Sequence, residues 1–325
     1  VKIDFHTHVV PALPDFAARY DDPRWPSFAI SADETTGELS RGGRVVRTVP
    51  PSSWSPAARI VDMDAAGIDV QVLSPLPPLV CDWADPEPAA AWADALNESL
   101  GEMVRAHPDR FAALGTVPLH DPKRATEVLV RAHEHGLDGV EIGTTAGAHE
   151  LDHPDLREFF AEAARLGMVV FVHPLILGAN CDWTDRITGA EVTFGLGMPT
   201  DTAIAAAKLV FGGVVDDYPE LRILLAHGGG SFAWTLPRVR RLWDAGHDRK
   251  VADLVRNVYV DSVVYDPANV AHLRDALGAD KIVFGTDYPL PAQDDLRGAV
   301  LTRLTDDERD LVWGGNATGL LNRRG

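Results

Sequence analysis

Near the start of the chain, Asp4-Phe5-His6-Thr7-His8 sets two imidazoles two residues apart. On an extended chain, residues i and i+2 point to the same face. His6 and His8 therefore project together and offer half of a divalent-metal site. Such a pair alone is weak evidence, because structural HxH pairs are common. Three further residues strengthen it. His173 ends the apolar run Val169-Val-Phe-Val, His227 ends Leu224-Leu-Ala, and Asp287 follows Val283-Phe-Gly-Thr. One polar residue closing an apolar run says little. Four runs that each deliver a metal-capable side chain to the same end are hard to obtain by chance.

The elements that must position these residues can be read from the same pattern. Short apolar, β-branched runs at 2–6, 69–73, 112–117, 139–143, 169–173, 222–226, 258–261 and 282–285 read as strands. Helical stretches at about 88–107, 122–135 and 154–166 lie between them, each opened by Pro, and the last two are followed by Gly. Eight such strands alternating with helices predict an α/β fold, a (β/α)8 TIM barrel, whose C-terminal mouth is where active sites sit. A doubly wound sheet would place a Gly-rich phosphate turn after an early strand. The Gly228-Gly229-Gly230 run follows the sixth strand instead and lacks that spacing. The expectation is a single domain over 1–325. An insertion at about 11–56, rich in Pro, Gly, Asp and Arg, carries a β-like piece near 44–49. It reads as a cover over the barrel mouth, the alternative being a surface excursion without a role.

Composition narrows the partners. Of 325 residues, 30 are Lys or Arg and 48 are Asp or Glu, a formal charge of −18. A field of that sign repels phosphate backbones and anionic lipid, so neither nucleic acid nor a membrane is expected as a partner. An anionic substrate must be met by locally placed cations. Two cysteines, Cys81 and Cys181, make no disulfide framework. With no signal segment and no membrane span, a soluble cytoplasmic protein is expected. His120 precedes Asp121-Pro122 and reads as part of a helix cap. His107, His133, His135, His149, His153, His247 and His272 fall on helices or outer loops and read as solvated.

The set His6-Thr-His8, His173, His227 and Asp287 resembles the pattern of the amidohydrolase superfamily. Finer pieces are similar to its aminocarboxymuconate-semialdehyde decarboxylase branch of non-oxidative decarboxylases. These are Ile3-Asp-Phe-His-Thr-His8, Arg59-Ile-Val-Asp-Met-Asp64 with Gly67-Ile-Asp-Val-Gln-Val72, Val172-His-Pro174, Ala226-His-Gly-Gly-Gly-Ser-Phe-Ala233 and Gly285-Thr-Asp-Tyr-Pro289. Dinuclear members of the superfamily commonly carry a bridging Lys on strand four. Asp138-Gly-Val-Glu-Ile-Gly-Thr144 has none, and mid-strand Glu141 is a poor bridge by spacing. One divalent ion is therefore expected, held by His6, His8, His173, Asp287 and a water. Such ligands suit Zn2+ and also accept Mn2+, Fe2+ or Co2+.

The resemblance implies that His227 is catalytic and moves a proton, the alternative being a second-metal ligand. It also implies that Arg47 and Arg238 bind substrate carboxylate, Arg238 being supplied across a homodimer interface. Departures from the branch touch the substrate pocket. Leu290 replaces an aromatic residue and Gly43 replaces a Lys, with Arg41 and Arg44 nearby. Leu175-Ile-Leu-Gly178 replaces a Trp-containing stretch, and Phe194 keeps an aromatic surface. The implied activity is metal-dependent removal of CO2 from a small unsaturated or aromatic carboxylic acid, aminocarboxymuconate semialdehyde or an analogue. The alternative is a metal-dependent hydrolase or hydratase of a related acid or lactone.

Overall fold

A computed structural model describes residues 1–175 and 187–321. The eight expected strands form one parallel sheet in chain order: β1 (Ile3–Val9), β2 (Val70–Pro75), β3 (Phe111–Thr116), β4 (Gly139–Ile142), β5 (Val169–Val172), β6 (Arg222–Leu225), β7 (Val258–Asp261) and β8 (Ile282–Val283). The sheet comes round on itself. Phe5 N–H donates to Phe284 O, and His8 N–H donates to Tyr288 O at 2.7 Å. A lone parallel bridge pairs Thr7 with Tyr288 across this seam. The expected α/β barrel is present.

Helices fill the crossovers: Pro56–Ala66, Pro86–Ala106, Pro122–Glu134, Arg157–Leu166, Met198–Phe211, Phe232–Gly246 and Pro267–Leu277. Their starts follow local chemistry. Ser55, Asp121 and Asp266 accept from backbone N–H groups of the first turn, with Pro just inside, which satisfies donors that a helix start leaves open. Two apolar layers result. Ile3, Phe5, Val72, Leu114, Phe171 and Leu224 fill the barrel interior, and a larger layer packs the strands' outer faces against the helices. No helix among the described residues is long and apolar enough to cross a membrane.

The segment between β1 and the first crossover helix is more ordered than its composition suggests. Besides Arg44–Val49 it contains strands Ser27–Ile30 and Gly37–Arg41, paired as an antiparallel three-stranded sheet, and a short helix Phe16–Tyr20. Leu39, Val49, Phe16 and Trp25 pack with Leu76 and Leu79, which lie just beyond the C-terminal end of β2. The insertion thus stands beside the barrel mouth.

Candidate metal centre

β1 is where the site is built, and its geometry is not that of a regular strand. Asp4 pairs with Gln71, but the next partners are Thr7 and Leu73, so β1 carries one extra residue between them. A bulge of this kind re-aims the side chains that follow it. Ile3 and Phe5 face the barrel interior before it. After it the His6 ring lies 4.9 Å from the interior ring of Phe171, and His8 shares that side. The strand runs on to Val9, so the HxH pair lies inside β1 and not beyond its end.

The partners arrive from β5, β6 and β8. His173 directly follows Val172, while His227 and Asp287 both adopt positive φ, 56° and 64°. A non-glycine residue there is uncommon, and such strain collects at functional sites. Gly285 lets β8 approach: a Cβ on it would stand 2.7 Å from the His6 Cβ and 3.2 Å from that of Asp261.

The result is one compact cluster. Neighbouring imidazole centroids lie 5.0 Å (His8–His173) to 5.4 Å (His6–His227) apart. Asp287 Oδ1 is 3.1 Å from His8 Nε2 and 3.4 Å from His6 Nε2, and its Oδ2 is 3.8 Å from His227 Nε2. One ligand atom each from His6, His173, His227 and Asp287 falls within 4.8 Å of all the others. Both ring nitrogens of His173 and Oδ1 of Asp287 are buried without a hydrogen-bond partner among the described residues. Unpaired buried polar atoms are costly, and a cation coordinated by them removes that cost. This donor set fits a divalent ion.

Electrostatics agree with the geometry. Burial would raise the Asp287 carboxyl, but the His6, His227 and His8 imidazoles hold it well below the usual carboxylate range. His173 is pushed well below the ordinary histidine value by burial and by neighbouring imidazoles, which keeps it neutral. Burial outweighs the nearby carboxylates at His6 and lowers it. At His227 burial acts downward too, but Asp287 and Asp261 prevail and raise it. The His227 and Asp287 side chains are 13% and 10% exposed, while His6 and His8 are fully enclosed. His227 and Asp287 therefore form the open face of the cluster.

Two carboxylates went unclaimed in the sequence reading. Asp261, at the end of β7, takes His6 Nδ1 at 2.7 Å and His227 N–H at 2.9 Å on Oδ2. Its Oδ1 accepts from Gly228 N–H at 2.8 Å and Val263 N–H at 3.0 Å. It fixes the His6 ring and the strained His227 turn together. The signal was available, because Asp261 closes an apolar run as His173 does. Glu141 reaches closer than its mid-strand position suggested. Its carboxylate is 3.7 Å from His8 Nδ1 and 3.9 Å from His173 Nδ1. Burial pushes it up to about 6, against the opposing pull of His8.

A cavity of about 940 Å3 opens in front of the cluster, lined by His173, His227 and Asp287. Arg47 and Phe194 line it as well, the guanidinium carbon 5.8 Å from the Phe194 ring centre. Leu76, Met198, Val263 and Leu290 give it largely apolar walls. Arg41, Gly43 and Arg44 do not line it; Gly43 is exposed in a tight turn, and Arg41 lies over the Trp83 ring. Arg238 is exposed on helix Phe232–Gly246 and is not among the lining residues of its own chain's cavity. His272 departs from the solvated reading. It lines the cavity against Trp234, and its Nε2 is buried, because its helix packs along the mouth. His120 Nε2 meets Ala84 O at 2.9 Å, and Asp121 caps the following helix. Of the Leu175–Gly178 stretch only Leu175 is within the described residues, and Cys181 is outside them.

Comparisons place this geometry among known proteins. The profile described as Amidohydrolase matches residues 3–323. 2-Amino-3-carboxymuconate-6-semialdehyde decarboxylase of Dictyostelium discoideum is 30% identical over 333 residues, covering 99% of this chain and 91% of that protein. Gamma-resorcylate decarboxylase of Rhizobium sp. (strain MTP-10005) is 30% identical over 253 residues, 71% of this chain and 76% of that protein. Among solved structures, 5-carboxyvanillate decarboxylase from Sphingomonas paucimobilis superposes with a TM-score of 0.80 at 22% identity, covering 99% of both chains.

Proposed function

The chain belongs to the amidohydrolase family, and from that premise we propose that it is a metal-dependent, non-oxidative decarboxylase of a small unsaturated or aromatic carboxylic acid. The observation that carries this reading is the enclosed cluster of four imidazoles and Asp287, with unpaired ligand atoms, at the floor of an apolar cavity that Arg47 also lines. The decarboxylase relatives supply the reaction type. His6, His8, His173 and Asp287 would hold the ion, Zn2+ suiting their three imidazoles and carboxylate. When bound, such an ion supplies Lewis-acid chemistry that polarises a substrate oxygen and stabilises developing negative charge.

The remaining work falls to the chain's own groups. Arg47 grips a carboxylate with its planar fork, and Phe194 offers a face to an unsaturated body. Leu76, Met198, Val263 and Leu290 exclude water, which strengthens each charge interaction inside. As the bond to the carboxyl carbon breaks, the electron pair stays on the substrate carbon. His227 Nε2 delivers the proton that replaces CO2. His227 suits that role because its Nε2 lies 3.8 Å from Asp287 Oδ2 on the face of the cluster that opens to the cavity.

Arg238 belongs to a second copy's site in this reading, which makes a homodimer the active unit. On its helix Trp234 and Leu242, four residues to either side, are each 74% exposed, an apolar stripe that a partner would cover. A reducing cytoplasm suits the buried free thiol of Cys81. The test is CO2 release from metal-loaded protein across a panel of unsaturated and aromatic acids, products weighed by mass spectrometry. Products lighter by CO2 support the reading. Products that keep every carbon would turn it into hydration or hydrolysis.

A further inference from the structure

The seam between β8 and β1 is an irregular joint of the barrel, yet it decides how far the HxH pair stands from Asp287. β8 is two residues long, and β1 is bulged where the two meet. The backbone bonds that cross there are Phe5 N–H to Phe284 O, Thr286 N–H and Asp287 N–H to His6 O at 3.4 and 2.9 Å, and His8 N–H to Tyr288 O. A joint so irregular needs support from side chains.

Arg59 occupies the place where that support is required. It comes from the first crossover helix and is 1% exposed. Its guanidinium donates to His8 O, to Thr7 Oγ1 and Gln71 Oε1 at 3.2 Å each, and to Ser52 O at 3.1 Å. Thr7 lies between His6 and His8 and points to the opposite face of the strand, so Arg59 grips β1 from behind the two rings. The same guanidinium lies 4.9 Å from the ring centre of Tyr288, the residue after Asp287. Gln71 continues the chain by donating to Asp4 Oδ2 at 3.3 Å. Asp4 Oδ2 also accepts from Thr286 Oγ1, the residue before Asp287, at 2.7 Å. Both flanks of Asp287 are thus tied to the group that holds the His8 carbonyl.

We propose that Arg59 is a positioning residue that clamps the seam and sets the separation of His6 and His8 from Asp287. This rests on the metal-site reading above. Ligand orientation by such outer partners is typically worth 10- to 100-fold in metal affinity. The planar fork matters, because a Lys point charge cannot reach acceptors on three elements at once.

The experiment titrates metal-free protein with Co2+ and records its visible absorption, comparing wild type with Arg59→Met and Arg59→Lys. Circular dichroism checks folding of each protein in chelator. Arg59→Met is expected to bind Co2+ about 10- to 100-fold more weakly with shifted absorption bands, and Arg59→Lys to recover only part of the loss. A folded Arg59→Met protein with wild-type affinity and bands would overturn the proposal. Should Arg59→Met not fold, Gln71→Met interrupts the link to Asp4 and Thr286 while leaving the His8 contact. Wild-type affinity and bands there overturn it equally. Failure of the wild-type protein to bind Co2+ would remove the premise instead, so the two failures are told apart.

Discussion

Replacing Asp261 by Asn tests whether this carboxylate organises the cluster. The change keeps volume and shape but converts one acceptor oxygen into a donor. In the structure both oxygens face donors only: His6 Nδ1 and His227 N–H on one, Gly228 N–H and Val263 N–H on the other. Whichever way the amide turns, two buried donors lose their acceptor, at about 1–3 kcal/mol each. One escape exists. His6 can accept from the amide at Nδ1 and move its proton to Nε2. That nitrogen is the one 3.4 Å from Asp287 Oδ1, so the escape blocks a ligand atom. Metal affinity should therefore fall about 10- to 100-fold, or about 1.4–2.7 kcal/mol. Competition against a fluorescent chelator measures it, and urea unfolding in EDTA measures the fold separately. The pH signature has a definite sign. Burial would raise Asp261, but His6, His227 and Gly228 hold it below its ordinary value. The stability it contributes is present above the unfolded carboxylate pKa and is lost as pH falls through the folded one. Asp261→Asn should erase that acid limb. A folded variant with unchanged metal affinity would show that Asp261 does not orient His6.

Three other expectations follow from particular contacts. His227→Ala should retain metal by elemental analysis while kcat falls about 10²- to 10⁴-fold, the usual worth of a positioned proton donor; loss of the metal would make His227 a ligand instead. Gly285→Ala places a methyl 2.7 Å from the His6 Cβ and should cost about 1–3 kcal/mol in urea unfolding, with weakened metal binding. Asp4 is pushed up to about 7 by burial, so between its unfolded pKa of about 3.9 and that value the folded chain binds more protons and stability declines as pH rises. Asp4→Asn should flatten that decline, and an unchanged slope in urea midpoints would assign it to other groups.

The residues that sequence alone revealed are those whose chemistry contrasts with their run. His173, His227 and Asp287 stand out because apolar strands end on them, and the eight-fold alternation of such runs was sufficient to anticipate the barrel. Asp261 bears the same mark in Val258-Tyr-Val-Asp261. What the mark cannot convey is direction, since a carboxylate closing a strand looks alike whether it grips an imidazole or water. Direction also limited the reading of Glu141, whose spacing argued only against a bridging role, while the pleat of β4 sets its carboxylate 3.7 Å from His8 Nδ1 and 3.9 Å from His173 Nδ1. The insertion was legible in part, its piece at Arg44–Val49 being anticipated and its two other strands not. Gly42-Gly43, both at positive φ, is a hairpin signal, but Ser27–Ile30 and Gly37–Arg41 are too short and mixed in polarity to announce themselves.

His6 and His8 show the limit most sharply. Alternation along β1 rightly puts the two rings on one face, but the same rule carried on from Ile3 and Phe5 would aim them away from the barrel interior. Only the extra residue between Asp4 and Thr7 reverses that parity, and a bulge has no residue type that betrays it here. It is a property of how β1 meets Gln71 and Leu73, contacts more than sixty residues away in sequence. The site is therefore written locally as a set of ligand types and completed only by long-range register. That is why buried groups which hold the register, Arg59 foremost, are needed for the chemistry although they never face the cavity.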